Sequence, residues 1–371
     1  MQGSDRFLHM THMIIPFFIV YQGCPNRCIF CNVHKTAGNY TGLITEETFR
    51  ETVHKYLRQP KRKPDHIQIA FYGGNFTGME KERQAELLAY ARPFIKKGQV
   101  HDIRVSTRPD NIDNENVELL KSFGVTTVEI GAQSFADEVL KLSRRGHSSS
   151  DVINAVNILK ERGFKTGIHI MLGLPGDNRL GFEYTIRETI ALKPDMVRIH
   201  PTIVFQDTGL AEIFSKGDYT PLGMAEAIDM CKYALGRFAA AGIPVIRLGL
   251  QMTREMEKAG SIIAGPYHPA FRSLVEESIF FDIASSLLAE KAVAGKEITF
   301  ILSRKDESSF RGQGNRNLQL LKNCYSAAGI TVKADDRQER GIISLTMEEQ
   351  TWRMHKFGKP EKVYVNSLPK T

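Results

Sequence analysis

Cysteine is scarce in this chain, and long apolar runs, internal repeats and low-complexity tracts are missing. The 371 residues include only five cysteines, an odd and low number that argues against a disulfide framework. The apolar stretch 14–20 contains Pro16 and is far too short to cross a bilayer. The first 13 residues hold no apolar core typical of a signal peptide. We therefore expect a soluble, cytoplasmic protein.

The composition is that of an ordinary globular protein, with 42% hydrophobic and 25% charged residues. The length allows one large α/β domain with a smaller appendage. There are 49 basic and 42 acidic residues, which gives a net charge of +7. This balance permits an anionic partner such as RNA without requiring one. The densest basic run, 58–64, is most simply a solvated loop.

Hydrophobic patterning predicts an alternation of strands and helices. Apolar runs predict strands at 14–20, 67–72, 103–106, 126–130, 165–171, 196–204 and 244–250. Apolar residues spaced by three and four predict helices at 46–57, 81–94, 114–123, 149–162 and 224–241. Such alternation predicts a mostly parallel sheet with right-handed crossovers. The predicted fold class is α/β, with a partial or extended parallel barrel.

The pattern changes after residue 294. A strand is predicted at 297–302, a helix at 315–328, and two strands at 330–334 and 341–346. These elements indicate a small α+β module, and from Trp352 onward we expect an irregular, basic tail. The predicted organisation is an N-terminal lead at 1–13, a barrel at 14–290, the module at 291–350 and the tail at 351–371.

Glycines, cysteines and polar residues cluster where the predicted strands end. In a parallel barrel the carboxyl ends of all strands meet at one face, where barrel active sites are built. The first five strands are followed or closed by residues 24–31, 73–75, 106–108, 133 and 169–176, and the last two by 200–201 and 251. The sequence therefore predicts a functional site at this face.

Three cysteines lie at C-x3-C-x2-C spacing: Cys24, Cys28 and Cys31. Three thiolates on one short loop can hold three irons of a [4Fe–4S] cluster and leave the fourth iron open for chemistry. A zinc site is the alternative, and it needs a fourth ligand, for which His34 is near in sequence.

The cysteine motif, with Phe30 before the third cysteine, resembles that of the radical S-adenosylmethionine (SAM) superfamily. Several segments are similar to the Elongator catalytic subunit and its bacterial relatives, the branch that modifies the tRNA wobble uridine: FYGGNFTG, STRPD, VEIGAQSF, RRGH, GIHIMLGLPG and IHPTIVFQDTGL. The resemblance extends to oxygen-independent coproporphyrinogen oxidases and covers about residues 14–281. Only about ninety residues follow, so we do not expect the acetyltransferase domain of that branch, nor its carboxymethyl transfer.

The resemblance implies a cofactor pair and a reaction. The open iron binds SAM, and an electron from a flavodoxin- or ferredoxin-like donor cleaves it. The resulting 5′-deoxyadenosyl radical abstracts hydrogen from a substrate carbon, while the protein positions the reactants.

The resemblance also implies SAM contacts, beginning with the polar ones. Gly73 and Gly74 lack Cβ atoms, so their backbone can approach the SAM ammonium, although a Gly-Gly pair is also simply a turn. Arg145 offers a planar fork to the methionine carboxylate, and Gln133 can bond a ribose hydroxyl. Ser106 stands where relatives commonly carry a glutamate that can meet the polar groups of SAM. This difference weakens the expectation of that contact in this chain.

The remaining implied cofactor contacts surround the adenine. Leu172 and Gly173 can place flat backbone beside the base, although Gly-Leu-Pro-Gly is also a good turn. Phe30 shields the adenine or the cluster, or else packs in the core. His169 stands where relatives often carry a polar ligand-side residue, or else is a satisfied core histidine.

No catalytic residue is assigned, and the substrate-side candidates are His200, Tyr267 and His268. Three functions stay open: a radical SAM enzyme acting on an RNA base, one acting on a small metabolite, and a non-catalytic iron–sulfur or zinc protein.

Overall fold

A computed structural model describes residues 11–20, 22–25, 27–31, 43–60, 62, 64–250, 261–348, 350–358 and 361–363. The chain divides into two compact units, Met1–Met224 with Ala241–Pro269, and Ala225–Ala240 with Ala270–Thr371.

The first unit alternates strands with helices, as the sequence predicts. Its strands are β1 (His12–Phe18), β2 (His66–Tyr72), β3 (Asp102–Thr107), β4 (Val125–Gln133), β5 (Lys165–Leu172), β6 (Met196–Pro201), β7 (Val204–Phe205), β8 (Val245–Leu248) and β9 (Ile262–Ala264). Its helices are α1 (Glu46–Arg58), α2 (Lys81–Lys96), α3 (Asn114–Ser122), α4 (Asp137–Leu142), α5 (Ser149–Glu161), α6 (Arg179–Ala191) and α7 (Gly209–Ser215).

Seven strands form one sheet in the order β1-β2-β3-β4-β5-β6-β8. Every pair of neighbours is parallel, and the sheet curls into a half-barrel with its helices outside. The predicted partial (β/α) barrel is therefore confirmed. The short strands β7 and β9 pair separately.

The two faces of the sheet differ in chemistry because successive side chains point to opposite faces. On the convex face, Phe17 of β1 stacks on Phe49 of α1 with ring centroids 4.2 Å apart, and Phe71 of β2 lies beside the same ring. These side chains are almost fully buried. The concave face carries polar and charged residues, including Gln68, Arg104 and Glu129, which bond to one another.

The second unit combines helices with a separate five-stranded sheet. Helices α8 (Met224–Ala240), α9 (Phe271–Leu288), α10 (Glu307–Arg311) and α11 (Arg316–Tyr325) accompany a sheet built from β10 (Glu297–Leu302), β11 (Gly329–Ala334), β12 (Ile342–Met347), β13 (Gln350–His355) and β14 (Glu361–Val363). The strand order is β11-β10-β12-β13-β14, with only β10 and β11 parallel.

One local prediction is wrong. The segment from Trp352 is not wholly irregular, because residues 350–355 and 361–363 form strands β13 and β14. Pairing stabilises them: β13 runs antiparallel to β12, and Trp352 lies opposite Leu345. Hydrogen bonds to the neighbouring strand stabilise these strands, and local sequence propensity does not predict such pairing.

None of the helices in the described ranges is long and apolar enough to cross a membrane.

Candidate functional site

The cysteine loop follows β1 and is held by backbone hydrogen bonds on two sides. The amide of Ile29 donates to the carbonyl oxygen of Ser143 at 3.3 Å, and the amide of Leu210 donates to the carbonyl oxygen of Ile29 at 2.8 Å. Ile29 also packs in an apolar cluster with Leu210, Val204 and Tyr219. The loop is therefore fixed to the end of α4 and the start of α7.

The three thiols are not in disulfide bonds, and they differ in exposure. Cys24 is exposed, and Cys28 and Cys31 are half-buried. Partial burial and the neighbouring Cys28 raise the pKa of the Cys24 thiol, while Arg108 and Arg145 act in the opposite direction. Across the described ranges, no three Cys, His, Asp or Glu side chains are grouped so as to hold a metal ion. The structure thus places the cysteines on one loop but does not gather their sulfurs.

Arg145 links this loop to the end of β4. Its Nη1 donates to Sγ of Cys28 at 3.0 Å, and its Nη2 donates to the carbonyl oxygen of Gly131 at 2.6 Å. The side chain is buried, and its Nε has no hydrogen-bond partner among the described residues. A buried cation beside soft sulfur donors suits a site that holds thiolates and a further anion.

Gly73 and Gly74 follow β2 and lie against the end of β1. Gly73 has φ of +84°, a left-handed conformation that glycine adopts without strain. A Cβ on Gly74 would overlap the carbonyl oxygen of Ile19. Close packing therefore explains Gly74 on its own, whether or not the pair also contacts a ligand.

Asn75 connects the ends of three strands. Sequence reasoning did not predict this central role. Its Nδ2 donates to the carbonyl oxygen of Gly23 and to Oδ1 of Asn111, both at 2.6 Å. Its Oδ1 accepts from Oγ1 of Thr107 at 2.7 Å and from the amide of Arg108 at 3.0 Å. Asn75 is fully buried, so it fixes the start of the cysteine loop relative to β2 and β3.

Gln133 ends β4 at an irregularity in the pairing with β5. Its φ is +69°, which is uncommon for a residue with a side chain. The side chain is buried, and its Oε1 has no partner in the described part of the chain. Ser106, half-buried on β3, lies beside Glu129 in the strand register. Nε2 of Gln133 and Nη2 of Arg145 both lie close to Gly131, so the two side chains are neighbours.

The peptide of Gly173 is held from both ends. Its amide donates to Oδ2 of Asp177 at 3.2 Å, and its carbonyl oxygen accepts from the Tyr219 hydroxyl at 2.6 Å. Burial raises the pKa of Asp177 to about 6, although bonds from the Gly173 and Asn178 amides lower it. Leu172 is fully buried, and its carbonyl oxygen accepts from the amide and hydroxyl of Thr202. Sequence reasoning missed Asp177 and Tyr219, and the Asp that follows Gly-Leu-Pro-Gly was the available signal.

Phe30 packs between two apolar clusters. One contains Ile29, Leu210 and Tyr219, and the other contains Val139, Met171 and Leu174. Phe30 therefore contacts Met171 and Leu174, the residues on either side of Leu172 and Gly173 in sequence. Both expectations for Phe30, core packing and shielding, are compatible with this position.

His169 and His200 meet on the concave face. Their rings form a T-shaped pair with centroids 4.3 Å apart. The Nε2 atom of each is buried and has no hydrogen-bond partner among the described residues. Burial, followed by Arg198, lowers the pKa of His169 to about 3, and burial and His169 lower the pKa of His200 strongly. Both imidazoles are therefore neutral at physiological pH.

A buried ion-pair network lies below these histidines. Glu129 accepts from Nη1 of Arg104 at 2.6 Å and from Nη2 of Arg198 at 3.0 Å, and Nε of Arg198 lies 2.5 Å from its second oxygen. Arg198 also donates to the Tyr72 hydroxyl at 2.9 Å. Alternating polar residues on strands β2, β3, β4 and β6 were the signal for this network, which sequence reasoning missed.

Tyr267 and His268 lie in the segment after β9. Tyr267 packs against the apolar cluster of Ile203 and Phe205, and His268 is half-buried next to it. His34 and Gln251, which the sequence also singled out, lie outside the described residues.

The strand ends therefore bring together the cysteine loop, Arg145, Gln133 and the Gly173 peptide. Three cysteine sulfurs on one short loop are the donor set that an iron–sulfur cluster requires. The buried Arg145 and the unused acceptor of Gln133 add polar groups suited to a small polar ligand. In residue type and loop spacing these groups suit the expected cofactor pair, although the three sulfurs are not gathered in this structure.

Comparison with family models gives two matches. The Radical SAM superfamily matches residues 18–189, and the Radical_SAM C-terminal domain matches residues 194–280.

Curated relatives also match this chain. A tRNA uridine(34) acetyltransferase of Methanocaldococcus jannaschii is 37% identical in an alignment of 251 residues, and the match covers 57% of this chain and 46% of that protein. The corresponding protein of Methanocaldococcus infernus is 32% identical in an alignment of 249 residues, and the match covers 57% of this chain and 47% of that protein. Elongator complex protein 3 of Mus musculus is 24% identical over 55% of this chain and 44% of that protein. The chain spans about half the length of these relatives.

Among solved structures, the archaeal Methanocaldococcus infernus Elp3 with an N-terminal deletion matches with a TM-score of 0.57 and 20% identity. The match covers 93% of this chain and 78% of that one. At this identity the likeness concerns the fold alone.

Proposed function

Since the chain belongs to the radical SAM superfamily, we propose that it is an enzyme that cleaves SAM reductively and abstracts hydrogen from an RNA base. The observation that carries the proposal is the pair of bonds made by Arg145, to Sγ of Cys28 and to the Gly131 carbonyl oxygen. One buried cation thereby ties the cysteine loop to the strand end where the other candidate ligand-binding groups lie.

In this proposal Cys24, Cys28 and Cys31 hold three irons of a [4Fe–4S] cluster. When bound, the cluster and SAM supply the one-electron cleavage and the hydrogen-abstracting radical. The chain's own residues bind SAM and orient it. The Arg145 guanidinium stabilises the Cys28 thiolate and presents a further N–H to the methionine carboxylate.

Two further groups orient the nucleoside part of SAM. The unused Oε1 of Gln133 accepts a hydrogen bond from a ribose hydroxyl. The Gly173 peptide, held by Asp177 and Tyr219, keeps a flat backbone edge beside the adenine. A fixed geometry of this kind lowers the entropic cost of bringing reacting atoms together. Phe30 and Met171 close the apolar side.

SAM cleavage is tested by anaerobic reconstitution with iron and sulfide, followed by dithionite and SAM. We expect the wild type to form 5′-deoxyadenosine and Cys28→Ala to form none. Cys324→Ala is the matched control, because Cys324 is exposed on α11, away from the loop in sequence, and we expect it to retain activity. Equal product from Cys28→Ala, or none from wild type with an assembled cluster, contradicts the proposal.

The choice of RNA is supported by the names of the relatives and by the net charge of +7. Phosphate contacts make RNA binding strongest at low salt. We therefore expect a tRNA anticodon stem–loop to be retained in a filter assay at low ionic strength, with affinity falling as salt rises. No retention, together with deuterium transfer from a labelled metabolite into 5′-deoxyadenosine, would point to a small-molecule substrate instead. A flavodoxin- or ferredoxin-like protein is the proposed electron donor.

A further inference from the structure

Arg108 is a second buried arginine beside the cysteine loop, and the expected SAM contacts do not use it. It follows β3, and its side chain is only 4% exposed. Nε and Nη2 donate to the two carboxylate oxygens of Asp110 at 2.9 and 2.8 Å. This planar, two-bond pairing fixes the guanidinium and balances its charge. The third nitrogen, Nη1, projects from the other side of the group, away from Asp110.

Nη1 of Arg108 is an unpaired donor. The atom is buried and has no hydrogen-bond partner among the described residues. Buried donors in folded proteins almost always have a partner, so an unpaired one points to a redox or ligand-binding role. At the neighbouring end of β4, buried atoms of three further side chains are also unpaired within the described part of the chain: Nε of Arg145, Oε1 of Gln133 and Nδ1 of His147.

The side chain of Asn75 holds Arg108 against the start of the cysteine loop. Its Oδ1 accepts from the Arg108 amide at 3.0 Å, and its Nδ2 donates to the carbonyl oxygen of Gly23, the residue before Cys24, at 2.6 Å. Burial and Cys28 raise the pKa of the Cys24 thiol, and the charge of Arg108 acts against that rise. Arg108 therefore approaches the loop from the Cys24 side.

We propose that Arg108 is a positioning residue of the cluster site, and that its Nη1 donates a hydrogen bond to sulfur at the Cys24 corner of the [4Fe–4S] cluster. The proposal rests on the proposed function, because it concerns the same cluster. Hydrogen bonds to cluster sulfurs set the reduction potential. They favour the reduced state, because its additional negative charge strengthens them. Asp110 orients the Arg108 fork, and Arg145 holds the loop at Cys28.

The midpoint potential of the reconstituted cluster tests this inference. The protein is loaded anaerobically with iron and sulfide, and the reduced fraction is measured by electron paramagnetic resonance at set potentials. At the wild-type midpoint, we expect Arg108→Met to lower the ratio of reduced to oxidised cluster about tenfold, the order of one charge-assisted hydrogen bond. Arg108→Lys should shift the midpoint in the same direction, because its single nitrogen cannot reach both the Asp110 carboxylate and a sulfur on the far side.

Arg83→Met is the matched control. Arg83 pairs with Glu86 on α2, and its Nε is also buried without a partner among the described residues. The change therefore removes a similar group from a helix outside the sheet, and we expect the wild-type midpoint. Iron and sulfide are counted in every variant, because a purely structural defect lowers cluster content without moving the midpoint of the clusters that assemble.

A wild-type midpoint in both Arg108 variants, or an equal shift in Arg83→Met, overturns the inference. If Arg108→Met assembles no cluster, the midpoint of Arg108→Lys decides alone. If the wild type forms 5′-deoxyadenosine and neither Arg108 variant shifts the midpoint, only this inference fails. If the midpoint shifts as expected but the reduced wild type forms no 5′-deoxyadenosine, the proposed function fails and the role of Arg108 stands. A wild type that assembles no cluster overturns both.

Discussion

Replacing Asn75 tests how the cysteine loop is positioned. The side chain is fully buried and makes four hydrogen bonds, two of them to main-chain atoms: the carbonyl oxygen of Gly23 and the amide of Arg108. Asn75→Ala removes all four without introducing bulk. The Thr107 hydroxyl still has Thr77 as a partner. Most of the loss of stability therefore comes from the two main-chain groups that lose their hydrogen bonds.

The magnitude follows from those two main-chain groups. The Arg108 amide is buried, and leaving such a group without a partner typically costs about 1–3 kcal/mol. The Gly23 carbonyl is only half-buried and adds less, so we expect Asn75→Ala to lower the free energy of unfolding by about 2–4 kcal/mol. This is a large part of the total stability of a typical domain, about 5–15 kcal/mol. Asn75→Asp keeps the acceptor for Thr107 and Arg108 but loses the donor to Gly23, and it also buries a charge.

The assay combines urea unfolding, followed by circular dichroism, with hydrogen exchange of peptides that contain Gly23 and Arg108. Exchange should rise in both peptides for Asn75→Ala, and mainly in the Gly23 peptide for Asn75→Asp. Asn154→Ala, at an exposed position of α5, is the control and should change stability little. A loss for Asn75→Ala no larger than for Asn154→Ala would refute the view that this residue fixes the loop.

Three further outcomes are expected. Glu129→Gln leaves two buried guanidiniums without a countercharge and should cost about 3–5 kcal/mol in urea unfolding, whereas Glu138→Gln, at an exposed position, should cost little. Burial raises the pKa of Asp177 to about 6 from 3.8. The folded state therefore binds a proton that the unfolded chain has released, so the thermal midpoint should fall as pH rises between those values, and less so in Asp177→Asn. Gly74→Ala should destabilise the protein by overlap with the neighbouring strand, while Gly223→Ala, which has open space around it, should not; equal melting of the two contradicts the packing argument.

Local pattern predicted most strands and helices of the first unit because their periodicity is strong. The strand predicted at 165–171 is Lys165–Leu172, and the helix predicted at 46–57 is Glu46–Arg58. Helix α6 was missed, since its buried face includes Thr185 and Thr189, which do not read as apolar. Strands β13 and β14 were missed because their stability comes from pairing rather than from their own residues.

The residues of the candidate site were also predicted only in part. Gln133 and the Gly173 turn were predicted from their places at strand ends, because the carboxyl ends of parallel strands meet at one edge, whereas Arg145 was expected only from the family resemblance. Of the two partners of the Gly173 peptide, Asp177 had a local sequence signal and Tyr219 had none. Asp177 bonds the Gly173 amide from four residues away, but Tyr219 reaches its carbonyl oxygen from 46 residues away.

By itself the sequence determined the cysteine spacing, the alternation of strands and helices, and the edge of the sheet, at the carboxyl ends of the strands, where the unusual residues gather. These are local properties, carried by residue type and short-range periodicity. Only the tertiary structure decided that Arg145 bonds Cys28, that Glu129 holds two arginines from different strands, and that Arg198, His200 and Arg247 share one face. Those contacts join residues up to 117 positions apart, and curling of the sheet brings them together on one buried, polar surface.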